Sequence, residues 1–233
     1  MIRLLKNMDL ITPFRHQRAF EALVPRAGLV GYWDFVRDAK DWNGHNYDAT
    51  LSGSAAVAGG ALQLGSGNYA SIAHNSAFNG LSSGAAISVW INPTSGYDYD
   101  RILVKSNANN TGWMLALDSS SNHAQWLMGN GSSWGVNLVS STSLTDGGGW
   151  QHILINIAGT GSNQTRMYIN SVDEDQGTYS SNYADSSQPI RVGRWDFNTS
   201  YYYGDIGPIV FYGRALSTDE ITQIYNAQKG YFE

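Results

Sequence analysis

The chain has 233 residues, which is enough for one domain or at most two. It contains no cysteine, and this excludes disulfide bonds, thiolate catalysis and metal sites built on cysteine ligands. Only 14% of the residues are charged, 26 are glycine and 12% are aromatic. This composition favours short strands and tight turns over a helical bundle or a disordered chain.

Charge is distributed unevenly along the chain. Residues 1–26 carry a formal net charge of +3, and the remaining 207 residues carry −8. An acidic body argues against nucleic acid as a partner, because phosphate contacts need clustered Lys and Arg. Charged residues interrupt the apolar stretches near the N terminus, so we expect no signal peptide and synthesis in the cytoplasm. No run of 18 apolar residues occurs, so we expect no membrane-spanning helix.

Residues 1–26 differ from the rest of the chain in having few glycines and no strand-like alternation. Phe14, Phe20, Leu23 and Val24 are apolar residues in this segment. A frayed tail and an arm that orders against a partner both remain open. The apolar residues favour the second interpretation, because a solvated tail does not usually keep them. We therefore predict a docking arm over residues 1–26.

From Gly28 onward, short apolar segments alternate with turns rich in Gly, Asn and Ser. About a dozen such segments without helical interruption predict an antiparallel β-sandwich over residues 27–233. The predicted strands cover residues 28–35, 61–64, 69–72, 85–93, 101–106, 113–118, 124–128, 150–159, 164–172, 190–193 and 205–216.

One short helix is predicted at the C terminus. Ser217 followed by Glu220 is typical of a capping box, and Leu216 with Ile221 is typical of a hydrophobic staple. Gly230 is a suitable end for this helix.

Several segments, in chain order, resemble one family. They are GLVGYWDF (28–35), DWNGHNYDATL (41–51), GGALQLGSGNYASI (59–72), AISVWINP (86–93), GWQH (149–152) and YGDIGPIVFYGRALSTDEITQIY (203–225). Together they resemble the concanavalin A-like, laminin G-like jelly-roll superfamily, in particular its bacterial and phage branch related to pentraxins. The resemblance implies an all-β jelly-roll sandwich over about residues 28–229. It does not choose among lectins, glycanases, adhesion modules and structural domains, which all occur on this fold.

The resemblance also raises the question of calcium. Members of the superfamily often hold one ion between the early Asp-x-x-Gly loop and an acidic residue near the last strand. The residues that match are Asp41, Asn43, His45 (through its carbonyl), Asp48 and, near the last strand, Asp205. Calcium needs six to eight oxygen ligands, and the distal partner is the weak point because Gly207 and Pro208 stand where relatives often have an acid. A calcium-free loop held by Asx turns is the alternative.

Glycan hydrolysis is disfavoured by the scarcity of glutamate. Glycosidases generally use two carboxyl groups at a defined separation, and the chain has only four glutamates. Asp173-Glu174-Asp175 superficially resembles the acidic strand of related glucanases. It follows Ile169-Asn170-Ser171, a hairpin connection, so we predict a solvated turn there. No catalytic residue is predicted, and the protein is expected not to be an enzyme.

Glycan binding is the positive chemical signal. Sugars stack their apolar faces on aromatic rings, while Asn and Asp read their hydroxyl groups. Trp33, Trp90 and Trp150 lie in apolar strands and are expected in the core. The candidates in loop sequence are Trp134, Trp195, Tyr97, Tyr99, Asp98, Asp196, Asn198 and Tyr202. The alternative is that these rings pack under loops or against another subunit.

By analogy with the family, these features point to a phage virion protein, either a capsid decoration or a tail-associated subunit. On this hypothesis the arm docks on other virion proteins, the sandwich is displayed on the virion surface as part of a homo-oligomer, and host glycans are a further partner. A free soluble lectin or carbohydrate-binding module is the alternative, and a glycoside hydrolase is the least supported.

Overall fold

A computed structural model describes residues 24–94, 100–118, 122–144, 148–179, 183–197 and 200–232. Within these residues, fifteen strands form two antiparallel sheets and one α-helix follows the last strand. The elements are β1 (Leu29–Trp33), β2 (Ala49–Ser52), β3 (Ala56–Ala58), β4 (Ala61–Leu64), β5 (Tyr69–Ile72), β6 (Ala85–Pro93), β7 (Arg101–Ser106), β8 (Gly112–Leu117), β9 (His123–Gly129), β10 (Trp134–Ser143), β11 (Gln151–Ile157), β12 (Gly161–Ile169), β13 (Val172–Tyr179), β14 (Ile190–Val192), β15 (Gly204–Tyr212) and α1 (Thr218–Lys229). The predicted sandwich with a short C-terminal helix is confirmed.

The two sheets are built from strands that are distant in sequence. One sheet has the order β13-β12-β11-β6-β15-β4-β3, with β1 also paired to β15. The other has the order β10-β9-β8-β7-β14-β5-β2. The second sheet, which we call the seven-stranded sheet, carries the candidate site on the face that points away from the core.

The core lies between the sheets and is dominated by large side chains. Trp33, Trp113 and Trp126 are fully buried there. Trp113 and Trp126 stack with ring centroids 5.5 Å apart. Because side chains alternate along a strand, their neighbours Met114 and Leu127 are placed on the outer face of the seven-stranded sheet.

Helix α1 covers the outer face of the other sheet. The predicted capping box is present, because Ser217 accepts from the Glu220 N–H and Glu220 accepts from the Ser217 N–H. Ile221 and Ile224 are buried in the cluster beneath the helix. Trp90 lies in this layer rather than between the sheets, and its Nε1 donates to Gln228 Oε1 over 2.7 Å.

The base of the predicted arm belongs to the packed domain. Val24 is buried in the cluster beneath α1, together with Leu29 and Leu216. Arg214 Nε donates to the carbonyl of Ala27 over 2.8 Å, which fixes the chain just before β1. The earlier residues of the arm lie outside the described part of the chain.

The prediction that Asp173-Glu174-Asp175 lie in a solvated turn was wrong, because the turn comes before these residues. Asn170 and Ser171 form the turn, with φ of 50° and 66°, and Ile169 pairs with Val172. This two-residue connection has the left-handed geometry that tight hairpins need. The three acids therefore lie in β13 and not in a solvated turn.

Candidate functional site

The outer face of the seven-stranded sheet carries an apolar patch on its central strands. Val104 of β7 pairs with Met114 of β8, which pairs with Leu127 of β9. These three side chains and Ala116 form a buried cluster separate from the core. A cluster on an outer face stays buried only if something covers it, and here Trp134 and Trp195 pack against it.

The two tryptophans and the sheet beneath them line a half-open cavity of about 300 Å³. We call it the tryptophan groove. Its lining residues are Arg101, Met114, Gln125, Leu127, Trp134, Asn137 and Trp195. The volume is at the lower end of the range for small-molecule sites, and the mixture of an apolar floor with a few polar groups is typical of them.

Trp134 is positioned by the tight connection between β9 and β10. Asn130 Oδ1 accepts from the N–H groups of Ser132 and Ser133 over 3.0 and 2.8 Å. The Asn130 N–H donates to the Ser133 carbonyl over 3.0 Å. An asparagine that bonds its own following backbone in this way fixes a turn. Trp134 then starts β10 opposite Gly129.

Trp195 comes from the segment that follows β14. The Arg101 guanidinium lies over its ring, 5.4 Å from the centroid. The Phe197 ring meets it edge-on at 6.0 Å. Phe197 is 47% exposed, so an apolar ring stands at the rim of the groove.

Two amide side chains provide hydrogen-bonding groups in the groove. Gln125 Nε2 donates to Asn137 Oδ1 over 3.0 Å. In this arrangement Gln125 Oε1 and Asn137 Nδ2 have no hydrogen-bond partner among the described residues. The pair therefore presents one acceptor and one donor, which is the pattern that a sugar hydroxyl needs because it both donates and accepts.

The structure brings together only part of the predicted glycan-binding set. Trp134 and Trp195 share the groove, although 61 residues separate them in sequence. Tyr202 is fully buried in the core, and its N–H donates to the Gly193 carbonyl. Its ring therefore cannot stack on a sugar, and its assignment to the site was wrong. Tyr97, Asp98, Tyr99 and Asn198 lie outside the described residues.

Asp196 follows Trp195 directly, and its carboxylate faces two arginines. Arg191 Nε donates to Asp196 Oδ2 over 2.8 Å. Arg194 Nε lies 3.3 Å from Asp196 Oδ1. This carboxylate is thus occupied by ion pairs in the sheet beside the groove.

The loop that contains the calcium candidates is held by hydrogen bonds. Asp41 Oδ1 accepts from the N–H groups of Tyr32 and Asn43, each over 3.0 Å, and Asp48 Oδ1 accepts from the Asp41 N–H over 2.9 Å. Asn43 Nδ2 donates to the Leu29 carbonyl and His45 Nδ1 lies 2.9 Å from the Val30 carbonyl. These are the bonds expected of a loop stabilised by Asx turns.

Asp205 does not complete a calcium site with that loop. It lies five residues before Val210, the partner of Tyr32, a separation of about 16 Å along a strand. Its pKa is raised by burial, and its side chain bonds to Asn92. Among the described residues, no three His, Asp or Glu side chains form a group that could hold a metal ion. The residues as placed do not fit calcium, and calcium binding stays a prediction.

The acids of β13 are used to join the edges of the two sheets. Asp175 Oδ2 accepts from the Val139 N–H over 2.9 Å. Glu174 accepts from the backbone and hydroxyl groups of Ser141 and Thr142. Burial raises the pKa of Glu174, but the hydrogen bonds from these two residues together outweigh it and hold that pKa below its usual value. Asp173 pairs with Arg166. Each acid has a structural partner.

Five groove residues were not identified from the sequence, namely Arg101, Met114, Gln125, Leu127 and Asn137. Met114 and Leu127 belong to strands that are apolar on both faces, so their alternation does not show which face is outside. The available signal is the alternation in β9, where Gln125 and Leu127 flank the core residue Trp126. That pattern places the two on one face but does not reveal a cavity.

No helix in the described residues is long and apolar enough to cross a membrane. A model of the Laminin G 3 family, described as the concanavalin A-like lectin/glucanases superfamily, matches residues 64–222. No curated protein sequence matches the chain significantly.

Solved structures of binding domains share the fold. The binding domain of Paraclostridial Mosquitocidal Protein 1 is 20% identical with a TM-score of 0.72, over 87% of this chain and 52% of that one. A structure of botulinum neurotoxin type C, whose cell entry depends on interaction with two ganglioside molecules, is 14% identical with a TM-score of 0.67, over 87% and 51%. This chain therefore spans about half the length of these toxin chains.

A third similar structure has nearly the size of this chain. It is domain 4 of the extracellular arabinanase AbnA from Geobacillus stearothermophilus, in complex with arabinotriose. It is 16% identical with a TM-score of 0.63, and the match covers 84% of this chain and 98% of that domain. At these identities the likeness concerns the fold.

Proposed function

The chain belongs to the concanavalin A-like lectin/glucanase superfamily, and from this premise we propose that it is a non-catalytic carbohydrate-binding domain whose glycan site is the tryptophan groove. The observation that carries the proposal is that Trp134 and Trp195 reach one cavity from separate parts of the chain. Two aromatic rings over a small cavity with polar groups suit a sugar ring, which has apolar C–H faces and a rim of hydroxyls.

The polar groups of the groove complement the two rings. Gln125 and Asn137 offer an acceptor and a donor side by side. Arg101 adds a guanidinium at the cavity wall, where it stacks on the Trp195 ring at 5.4 Å from the centroid. A sugar can form hydrogen bonds with Gln125 and Asn137, whereas a purely apolar molecule would only displace the water around them, so the groove favours a sugar.

The similar structures support glycan binding on this fold but do not show it for this chain. The arabinanase domain, which the match covers to 98%, was solved with arabinotriose, so a domain of this fold holds a glycan in another protein. Botulinum neurotoxin type C interacts with gangliosides, but the match covers only 51% of its chain. For this chain the argument rests on the groove itself.

A catalytic role has less support in the described residues. The groove lining contains no carboxylate, whereas glycoside hydrolysis generally needs two. The acids of β13 are bonded to β10 and to Arg166. The groove therefore offers no carboxyl group that could act as the general acid of glycoside hydrolysis.

A glycan array tests the proposal. The wild-type chain is compared with Trp134→Ala and Trp195→Ala, and with Trp42→Ala, which removes a half-buried tryptophan of the β1–β2 connection that packs against the cluster beneath α1. Removing either groove ring should weaken binding at least tenfold, a loss of about 1.4 kcal/mol, while Trp42→Ala should retain the wild-type profile. Equal loss in all three variants, or no binding by the wild type, would contradict the proposal.

An EDTA arm of the same array tests calcium. Because the carboxylates of the Asp41 loop are bonded to backbone N–H groups, binding should be unchanged by the chelator. Binding that disappears with EDTA and returns with added Ca²⁺ would show that an ion is required.

We also propose that the arm predicted over residues 1–26 docks the domain on other proteins of a phage virion. Support comes from Val24, which is buried beneath α1 and so anchors the base of the arm to the sandwich. The similar structures are toxin and arabinanase domains and add no support for a virion. A chain lacking residues 1–23 should keep its fold and lose incorporation into the particle, and unaltered incorporation would contradict docking.

A further inference from the structure

Three charged side chains form a cluster beside the tryptophan groove. Asp196 Oδ2 lies 2.8 Å from Arg191 Nε and 2.7 Å from Arg191 Nη2. Asp196 Oδ1 lies 3.3 Å from Arg194 Nε. One carboxylate thus bridges two guanidinium groups, and we call these residues the Asp196 ion cluster.

Both arginines are themselves fixed to the sheet. Arg191 lies on β14 and its Nη1 donates to Ser71 Oγ of β5 over 2.6 Å. The Arg194 guanidinium lies 4.7 Å over the Tyr69 ring and 5.9 Å from the Tyr201 ring. The hydrogen bonds of Arg191 and the ring contacts of Arg194 limit the movement of the two guanidinium groups.

The Asp196 ion cluster holds together the chain segment that carries Trp195. Arg194 also forms an isolated backbone bridge with Tyr201, so the two ends of the segment are held together. Trp195 lies between Arg194 and Asp196 in the chain. The ion pair between Arg194 and Asp196 therefore fixes the position of the Trp195 backbone. The ring then reaches Arg101 and the floor of the groove.

We propose that the Asp196 ion cluster is a positioning device that holds Trp195 in the orientation required for glycan binding, so that Asp196 acts through Trp195 and does not contact the glycan. This inference rests on the proposed function of the groove. It differs from the sequence-based expectation that Asp196 hydrogen-bonds a sugar. It also implies that the binding of an uncharged sugar depends on a carboxylate.

The arrangement explains why a loop residue can act as a binding platform. A site on a mobile loop loses affinity because ordering the loop opposes binding. Arg191 on β14 and Arg194 packed over Tyr69 of β5 reduce that cost by fixing the segment before the sugar arrives. Since Asp196 and the two arginines are only 23–26% exposed, solvent screens the cluster less than a fully exposed pair.

The test uses the whole chain labelled with 5-fluorotryptophan and observed by ¹⁹F NMR. The Trp195 signal is identified as the one missing from Trp195→Phe. Asp196→Asn should shift or broaden that signal and leave the signals of core residues Trp113 and Trp126 unchanged. Asp196→Glu, which keeps the charge, should preserve more of the wild-type signal. Asp173→Asn, which breaks the ion pair with Arg166 on the other sheet, is the matched control and should leave Trp195 unchanged.

The glycan array is repeated with the same variants, and its immobilised neutral oligosaccharides are the probe. Asp196→Asn should lower the wild-type signals about tenfold, with partial recovery in Asp196→Glu. Reduced binding with an unchanged Trp195 signal would overturn the inference and make Asp196 a direct glycan contact. An unchanged Trp195 signal with unchanged binding would also overturn it. If the wild type binds nothing on the array, the proposed function fails, and the NMR signal still decides whether the cluster positions Trp195.

Discussion

The ion pair that joins helix α1 to the sandwich predicts a specific loss of stability in acid. Arg214 Nη1 and Nη2 contact Glu220 Oε2 and Oε1 over 2.8 and 2.5 Å. Hydrogen bonding from Arg214 is the main cause that lowers the pKa of Glu220 from 4.5 to about 2. Glu220→Gln removes this charge while keeping the size of the side chain.

The expected magnitude follows from the pKa. A lowering of this size corresponds to about 3 kcal/mol between the two protonation states. Both side chains are partly exposed, at 32% and 25%, so solvent screening reduces the expected contribution to about 1–2 kcal/mol. The folded-state pKa lies below the unfolded value, so this stability is fully present above pH 4.5 and is lost as the pH falls towards 2.

Urea unfolding of the wild type and Glu220→Gln from pH 7 to pH 2 measures the effect. The difference in the free energy of unfolding should be constant above pH 5 and should shrink steadily below it. Asp219→Asn, in the same helical turn, is the control and should cost only a few tenths of a kcal/mol. A difference between wild type and Glu220→Gln that does not change with pH would refute the role of the carboxylate charge.

Two further predictions concern the fold that supports the groove. Gly112→Ala should destabilise the chain by several kcal/mol in a thermal melt, because its Cβ would lie 1.8 Å from the Lys105 carbonyl oxygen at a φ of +80°. The control Gly44→Ala has a similar φ of +84° but no atom near its Cβ, so it should cost about 1 kcal/mol. Equal losses of stability in the two variants would refute the role of the close approach at Gly112. Lys105 is buried and its Nζ donates to the Ser186 and Gln188 carbonyls, and burial lowers its pKa from 10.5 to about 8. Between pH 8 and pH 10.5 the lysine is protonated in the unfolded chain but not in the folded one, so the wild-type free energy of unfolding should rise with pH relative to that of Lys105→Met. The same pH dependence of the free energy of unfolding in both chains would contradict a lowered pKa of Lys105.

The sandwich and its helix could be predicted because their signals are local. The capping box at Ser217 and Glu220 and the apolar segment over residues 150–159 depend on neighbours in sequence, and both form the predicted elements. Strand β13 was missed because its sequence is polar, and β10 was missed because its short alternation of Val136 and Leu138 with polar residues runs into a series of Ser and Thr. Each of these strands lies at the edge of its sheet, and carboxylates of β13 satisfy backbone N–H groups of β10. Such pairing between distant segments leaves no local pattern.

The candidate site could be predicted only in its aromatic residues. Trp134 and Trp195 stand in loop-like sequence, and both line the groove. Tyr202 has the same kind of surroundings in sequence but points into the core. The floor of the groove comes from strands that are apolar on both faces, and only the sheet order shows that Met114 and Leu127 meet beneath two tryptophans.

The most direct test of the central claim is a titration of the ¹⁵N-labelled chain with an oligosaccharide that the wild type binds on the array, followed by ¹H–¹⁵N NMR. The account predicts that the side-chain amide signals of Gln125 and Asn137 and the indole signal of Trp195 shift together and saturate at one sugar per chain. Shifts confined to the sheet covered by α1, with these three signals unchanged, would contradict the assignment of the glycan site to the tryptophan groove.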